Sequence, residues 1–135
     1  MPYRLFGDEN NLILAKSISF GTETLLNARS GTITIKDKVM FGHGSMILTG
    51  YHDYYICGHH GIRDWDKDKG NHIIIEEGVW IGSGSIIVGP CIIGKNAVIS
   101  AGAVVFDDVP ACALVRGNPA TIVKYIDIHC DQCNE

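Results

Sequence analysis

The sequence has no long apolar run: its purely apolar stretches are a few residues each, far short of the roughly 20 that would span a bilayer. Membrane insertion is therefore not expected. It also lacks an N-terminal segment with the charged start and apolar stretch of a signal peptide, so the expected location is cytoplasmic. No basic block is present, and 11 Lys and Arg stand against 15 Asp and Glu, for a formal charge of −4. Nucleic acid is thereby removed as an expected partner, because a phosphate backbone is held by clustered cations. The five cysteines are an odd count and give no disulfide framework. The 16 glycines lack the every-third spacing of collagen. What remains is a globular balance, 46% hydrophobic and 19% charged, in a 135-residue chain of single-domain size, 1–135.

A different period is present instead. Ile75, Ile81, Ile87, Ile93, Ile99 and Val105 stand six apart. A helix repeats near 3.6 residues and a simple strand at 2, so a sustained period of six predicts a hexapeptide β-helix. Each six-residue unit is one flat face of a triangular coil, with its aliphatic side chain pointing inward. Two further columns agree with the first. Ile73, Val79, Ser85, Cys91, Ala97 and Ala103 lie two residues before the core position. Gly78, Gly84, Pro90, Asn96, Gly102 and Asp108 lie three after it, at the corners. Glycine and asparagine tolerate left-handed backbone there, and proline fixes φ. Cys91 replaces an inward aliphatic residue and reads as a small buried hydrophobe. Upstream, Ile35, Phe41 and Ile47 repeat at six, as do Leu14, Phe20 and Leu26. These two registers are out of phase by three residues, which requires an irregular loop near Ala28–Thr32. The expectation is an all-β chain of about four to five coils, over about 12–49 and 73–108.

Between the two halves, residues 50–72 break the pattern with a polar, aromatic stretch that holds or adjoins His52, His59, His60 and His72. A loop this long without its own periodicity is functional or disordered. At the other end, Asn118-Pro119 reads as an N-cap followed by proline in the first helical position. A short amphipathic C-terminal helix over about 118–128 is therefore expected, closing the exposed end of the coil or packing on a neighbouring subunit. Outward apolar residues such as Ile74, Ile86, Val88 and Ile92 favour self-association. The terminal His-Cys-Asp-Gln-Cys has CxxC spacing, but a structural zinc site needs four ligands. No metal site is expected.

Three segments carry a resemblance. They are Glu77-Gly78-Val79-Trp80-Ile81-Gly82-Ser83, the run from Gly94 to Val105, and Arg116-Gly117-Asn118-Pro119-Ala120. They resemble the hexapeptide-repeat acyltransferases, and among those the sugar O-acetyltransferases such as the galactoside and maltose acetyltransferases. The resemblance implies a left-handed parallel β-helix, acetyl-CoA as acyl donor, a saccharide acceptor, and a homotrimer with active sites between subunits. It implies a histidine general base in or beside the interrupting loop, matched here by His52. It also implies the backbone N–H of Ser83 as oxyanion donor. The small Ala101 and Gly102 match residues along the pantetheine arm, while Asn118 and Lys124 match the region that meets the nucleotide end of coenzyme A.

The chemistry agrees with these roles. Acyl transfer to a hydroxyl needs a group that takes the alcohol's proton near neutral pH, as histidine can, and a fixed donor for the carbonyl oxygen. Asp53 has two open readings, orienting a histidine or contacting the acceptor, beside that of a local turn. His60 and Trp65 are candidates to line the acceptor cleft, Trp65 by stacking on a sugar face, and His59 goes with them. Trp80 either shapes the cleft or packs at an interface. His43, between two glycines, reads as a corner residue. The hexapeptide carbonic anhydrases carry two metal-binding histidines five apart, and no two histidines here have that separation. The chain departs from its relatives at Phe106-Asp107, where Thr-Lys is common, and at Thr121, where a basic residue is common. Three functions follow in order: O-acetylation of a sugar, N-acetylation of a nucleotide-linked amino sugar, and a non-catalytic trimeric scaffold.

Overall fold

The computed structural model describes residues 2–49 and 71–128. The short hexapeptide units form short strands that stack in parallel on three faces. The first face holds β1 (Arg4–Gly7), β3 (Leu25–Ala28), β6 (Met46–Leu48), β9 (Ile86–Val88) and β12 (Val104–Val105). The second holds β2 (Leu12–Leu14), β4 (Ile33–Ile35), β7 (Ile73–Ile75) and β10 (Cys91–Ile93). The third holds β5 (Met40–Phe41), β8 (Trp80–Ile81), β11 (Val98–Ile99), β13 (Ala113–Gly117) and β14 (Ala120–Tyr125). This is the parallel β-helix expected from the period, of the left-handed class that the resemblance implies. The ladder begins at Arg4, ahead of the Leu12 that opens the regular period, and its last parallel strand ends at Gly117.

Strand-to-strand register explains the period. Ile33 pairs with Ile73 and Ile73 with Cys91, so each inward side chain sits directly above its counterpart. Ile33, Ile47, Ile73, Ile81, Ile87, Ile93 and Ile99 have no measurable exposure. Each such burial is worth about 1.5–3 kcal/mol. Thr24, Ser45 and Ser85 are also buried, and each hydroxyl donates to a backbone carbonyl, those of Gly21, Gly42 and Ser100. That satisfies the polar group where water is excluded. At the N-terminal end, Tyr3 packs on Phe20 at 5.0 Å between ring centres, and Phe20 stacks on Phe41 at 5.1 Å. These rings cover the first coils, where inward aliphatics are fewer.

The phase change upstream has a single location. Asn27 and Val88 are equivalent through Leu48. Five residues separate Asn27 from β4, but only two separate Val88 from β10. The three extra residues fall at 28–32, as the out-of-phase registers require. The 3-10 turn Glu9–Asn11 fills the same edge one coil earlier. Among the described residues the irregular lengths therefore gather on one edge, between the first and second faces, where Thr49 also lies. The expected loop at 50–72 falls mostly on residues 50–70, outside the described residues. Asn71 and His72 already belong to the stack, with the Asn71 N–H bonded to the Ser30 carbonyl and the Thr32 N–H to His72 Nδ1.

The C-terminal helix expected over 118–128 is not formed. Ala120–Tyr125 is a strand that turns back antiparallel on β13. Thr121, Ile122 and Val123 are β-branched and favour extended backbone. Pairing with β13 also satisfies an edge that a helix would leave open, and Asn118-Pro119 forms the turn of this hairpin rather than a helix start. Among the described residues no helix is long and apolar enough to cross a membrane.

Candidate active site

The edge between the third and first faces is built from four successive corners: Gly21-Thr22-Glu23, Gly42-His43-Gly44, Gly82-Ser83-Gly84 and Ser100-Ala101-Gly102. The third residue of each has positive φ, +61° at Glu23, +68° at Gly44, +70° at Gly84 and +74° at Gly102. The three glycines among them donate their N–H to the carbonyl of the middle residue one coil below: Gly44 to Thr22, Gly84 to His43, Gly102 to Ser83. The first residue is held small by the next coil. A Cβ on Gly42 would lie 2.3 Å from Ser83 N, and one on Gly82 would lie 2.5 Å from Ala101 N. Spacing along this edge is thus fixed by backbone on backbone.

The middle residues form a second ladder. The Thr22 N–H donates to His43 Nδ1 at 3.0 Å, and the Thr22 hydroxyl lies 2.8 Å from the same nitrogen. One coil up, the His43 N–H donates to Ser83 Oγ at 3.1 Å. A side chain in each coil therefore caps the backbone N–H of the coil below. A backbone N–H can only donate, so His43 Nδ1 is an acceptor and the ring proton sits on Nε2. His72 is fixed in the same way by the Thr32 N–H at 2.9 Å. Neither ring has a free lone pair facing solvent, which is what a general base requires. His43 is a corner residue, as its glycine neighbours suggest.

Ser83, Ala101 and Gly102 are exposed and adjacent on this edge. Trp80, 51% exposed, stands on the outer surface of the third face, where β8 pairs Met40 with Trp80 and Trp80 with Val98. The column continues through Leu114 to Lys124 on β14. Trp80 and Lys124 thus lie three strand spacings apart on one outer face, about 14 Å. Asn118 is in the turn of the terminal hairpin, exposed, and Arg116 and Gly117 continue β13 above Ser100 and Ala101. Phe106 and Asp107 stand at the far edge of the first face, after β12, away from Ser83 and Ala101. His52, Asp53, His60 and Trp65, with His59, lie outside the described residues. Thr49, the last described residue before them, lies at the opposite edge of the first face from Ser83.

Two other features bear on chemistry. Cys91 is buried, and burial first, then the charges of Asp108 and Asp107, push its thiol up to about 12. It is held as an inert thiol. The Asp108 carboxylate accepts the Ile92 N–H at 2.7 Å, capping the top coil. Among the described residues no three His, Cys, Asp or Glu side chains converge as metal ligands. The capping roles of Thr22 and His43 are absent from the sequence reading. Their signal was the repeated Gly-x-Gly at 42–44 and 82–84, which aligns His43 with Ser83 once the interruption is removed.

The family model described as bacterial transferase hexapeptide (six repeats) matches residues 72–107. A protein of Schizosaccharomyces pombe named as an acetyltransferase is 36% identical over 95 residues, covering 70% of this chain and 44% of that protein. A 2,3,4,5-tetrahydropyridine-2,6-dicarboxylate N-acetyltransferase of Clostridium perfringens is 48% identical over 54 residues, covering 40% of this chain and 23% of that enzyme. The chain therefore spans less than half the length of either relative. A galactoside acetyltransferase in complex with coenzyme A superposes with a TM-score of 0.71 at 25% identity, covering 94% of this chain and 60% of that one.

Proposed function

The chain is a hexapeptide-repeat protein on a left-handed parallel β-helix, and from that premise we propose that it is a CoA-dependent acyltransferase. It moves an acetyl group from acetyl-CoA to a hydroxyl of a sugar or polysaccharide precursor. The observation that carries this reading is the edge between the third and first faces. There an exposed corner presents the Ser83 backbone beside the small Ala101 and Gly102, in a chain whose relatives bear acetyltransferase names.

The acceptor oxygen attacks the thioester carbonyl carbon while His52 takes its proton. The carbonyl oxygen becomes an oxyanion and receives the Ser83 N–H. The carbon–sulfur bond then breaks, and the leaving thiolate takes the proton from His52. A positioned base contributes typically 10²–10⁴-fold, and an oxyanion donor about 10²–10³-fold. Acetyl-CoA supplies the activated acyl group. Ala101 and Gly102 admit its pantetheine arm, and Asn118 and Lys124 meet its nucleotide end. The exposed outer column from Trp80 to Lys124 gives an extended donor a surface to lie along. Asp53, His60, Trp65 and Trp80 face the acceptor in this reading.

The active form is a homotrimer in the cytoplasm. Leu25, Met46, Ile86 and Val104 form an outward column on the first face, and Ile13, Ile74 and Ile92 lie outward on the second. Association would remove this apolar surface from water. Crossing the first face from Ser45 to Thr49 takes about 13 Å of strand. Thr49 and the Ser83 corner of one protomer thus stand at opposite edges of the first face, and a site shared between subunits is part of this reading. The N-acetyltransferase among the relatives favours nitrogen as an alternative acceptor atom, and the second reading is N-acetylation of a nucleotide-linked amino sugar.

The test mixes the protein with acetyl-CoA and a panel of sugars and amino sugars and follows free thiol. Thiol release that falls 10²–10⁴-fold in His52→Ala, with unchanged thermal stability, is expected. Full activity in that variant removes the base. Product cleaved by mild alkali is an ester, and resistant product an amide. Absence of both turnover and CoA binding heat leaves only the scaffold.

A further inference from the structure

The capping ladder of the third-to-first edge stops at one residue. Thr22 is capped by the side chain of His43, and His43 by the side chain of Ser83. The next middle residue is Ala101, and a methyl group accepts no hydrogen bond. All three rungs share the same corner: left-handed third residues at Gly44, Gly84 and Gly102, and the same N–H to carbonyl bond between coils. The rungs differ only in the side chain, so the Ser83 N–H receives no cap from the coil above it.

We infer that Ala101 is a positioning residue that acts by what it lacks, leaving the Ser83 N–H uncapped and available to the oxygen of the reacting acyl group. The inference rests on the acyltransferase reading and assigns a role within it. Any of the polar residues used lower in the ladder would stabilise the corner at position 101. A serine there would hold its Oγ toward Ser83 N as Ser83 holds its own toward His43 N, at 3.1 Å. It would then occupy the one donor that the reaction needs, because a donor already bonded is not free for the charge that develops.

The test compares Ala101→Thr with Ala101→Val. Both add the same branched bulk against the donor, and only threonine adds an acceptor. The expected result is a kcat at least tenfold lower in Ala101→Thr than in Ala101→Val, with KM for acetyl-CoA shifted alike in both. Exchange of the Ser83 amide with deuterium, followed by NMR, should slow in Ala101→Thr and not in Ala101→Val. Ala101→Ser against Ala101→Cys repeats the comparison with less bulk should either branched variant fail to fold. Equal kcat within both pairs in an active enzyme overturns the inference while leaving the acyltransferase reading in place. A wild-type chain without turnover sinks that reading and the catalytic use of the N–H. The amide exchange then still decides the capping, and equal Ser83 exchange in both variants overturns it.

Discussion

Two edges of the same prism solve the same turn in opposite ways. The edge between the second and third faces is charged and closes on itself. Lys36 pairs with Glu76 at 2.7 Å, Lys38 with Glu77 at 3.9 Å, and the Ser17 hydroxyl donates to Asp37 at 2.8 Å. Left-handed corners there are taken by Lys38, Gly78, Asn96 and Cys112. The edge between the third and first faces is nearly uncharged, is held by glycine at 21, 42 and 82, and has a ladder that ends at Ala101. One edge pairs its charged side chains within the chain. The other leaves a donor exposed, which lowers local stability and gives the fold something to do chemistry with.

The comparison breaks most readily at Gly42. Alanine there would place its Cβ 2.3 Å from Ser83 N and 2.5 Å from Ser83 Oγ. Coils must part to admit it, at a cost of about 1–3 kcal/mol, and the Ser83 corner moves with them. Gly44→Ala has open space but keeps φ at +68°, so it costs only the left-handed penalty, about 1–2 kcal/mol. Denaturant unfolding of both variants, with turnover measured beside it, should show Gly42→Ala losing far more activity per unit of stability lost. Equal activity in the two would mean that the Ser83 backbone is not the sensitive element. On the charged edge Lys36 and Glu76 occupy the equivalent position, and glycine returns there only at Gly94, where a Cβ would lie 2.3 Å from Ala111 N.

Much of this was legible beforehand, for a physical reason. Inward residues repeat because parallel strands stack in register, so a core column is also a sequence column, and Ile75 to Val105 could be read directly. The corner glycines were readable because positive φ restricts residue type. The break at 28–32 followed from phase alone. The terminal segment was misread because Asn118-Pro119 suits a helix start and a hairpin turn equally, and only the free edge of β13 decides between them. The capping ladder was missed because its rungs are 21 and 40 residues apart. Those separations depend on where the chain is interrupted, so the repeated Gly-x-Gly at 42–44 and 82–84 aligns only once the interruption is removed. The assignments at 52, 53, 60 and 65 rest on the sequence alone.

A second test concerns the interior that both edges enclose. Cys91 is raised from 9.0 to about 12, by burial first. Its folded form thus holds a proton that the unfolded chain gives up near pH 9. The stability it contributes is fully present below pH 9 and is lost as pH rises from about 9 toward 12. Urea midpoints measured across that range should fall more steeply for the wild type than for Cys91→Ala, by at most about 1.4 kcal/mol per pH unit. Parallel curves would show that the thiol is not excluded from water.

The smallest effect belongs to the charged edge. Lys36 and Glu76 are in contact, yet their side chains keep 50% and 29% of their exposure. Water and salt screen such a pair, so a double-mutant cycle with Lys36→Ala and Glu76→Ala should return about 0.2–1 kcal/mol. That coupling should shrink as ionic strength rises toward 1 M, where charges are screened within about 3 Å. Turnover should be unaffected in both single variants, since this edge is not the one that carries Ser83 and Ala101. A loss of activity in Lys36→Ala comparable to that in Gly42→Ala would remove the distinction between the edges. The site would then have to be sought on the charged corner.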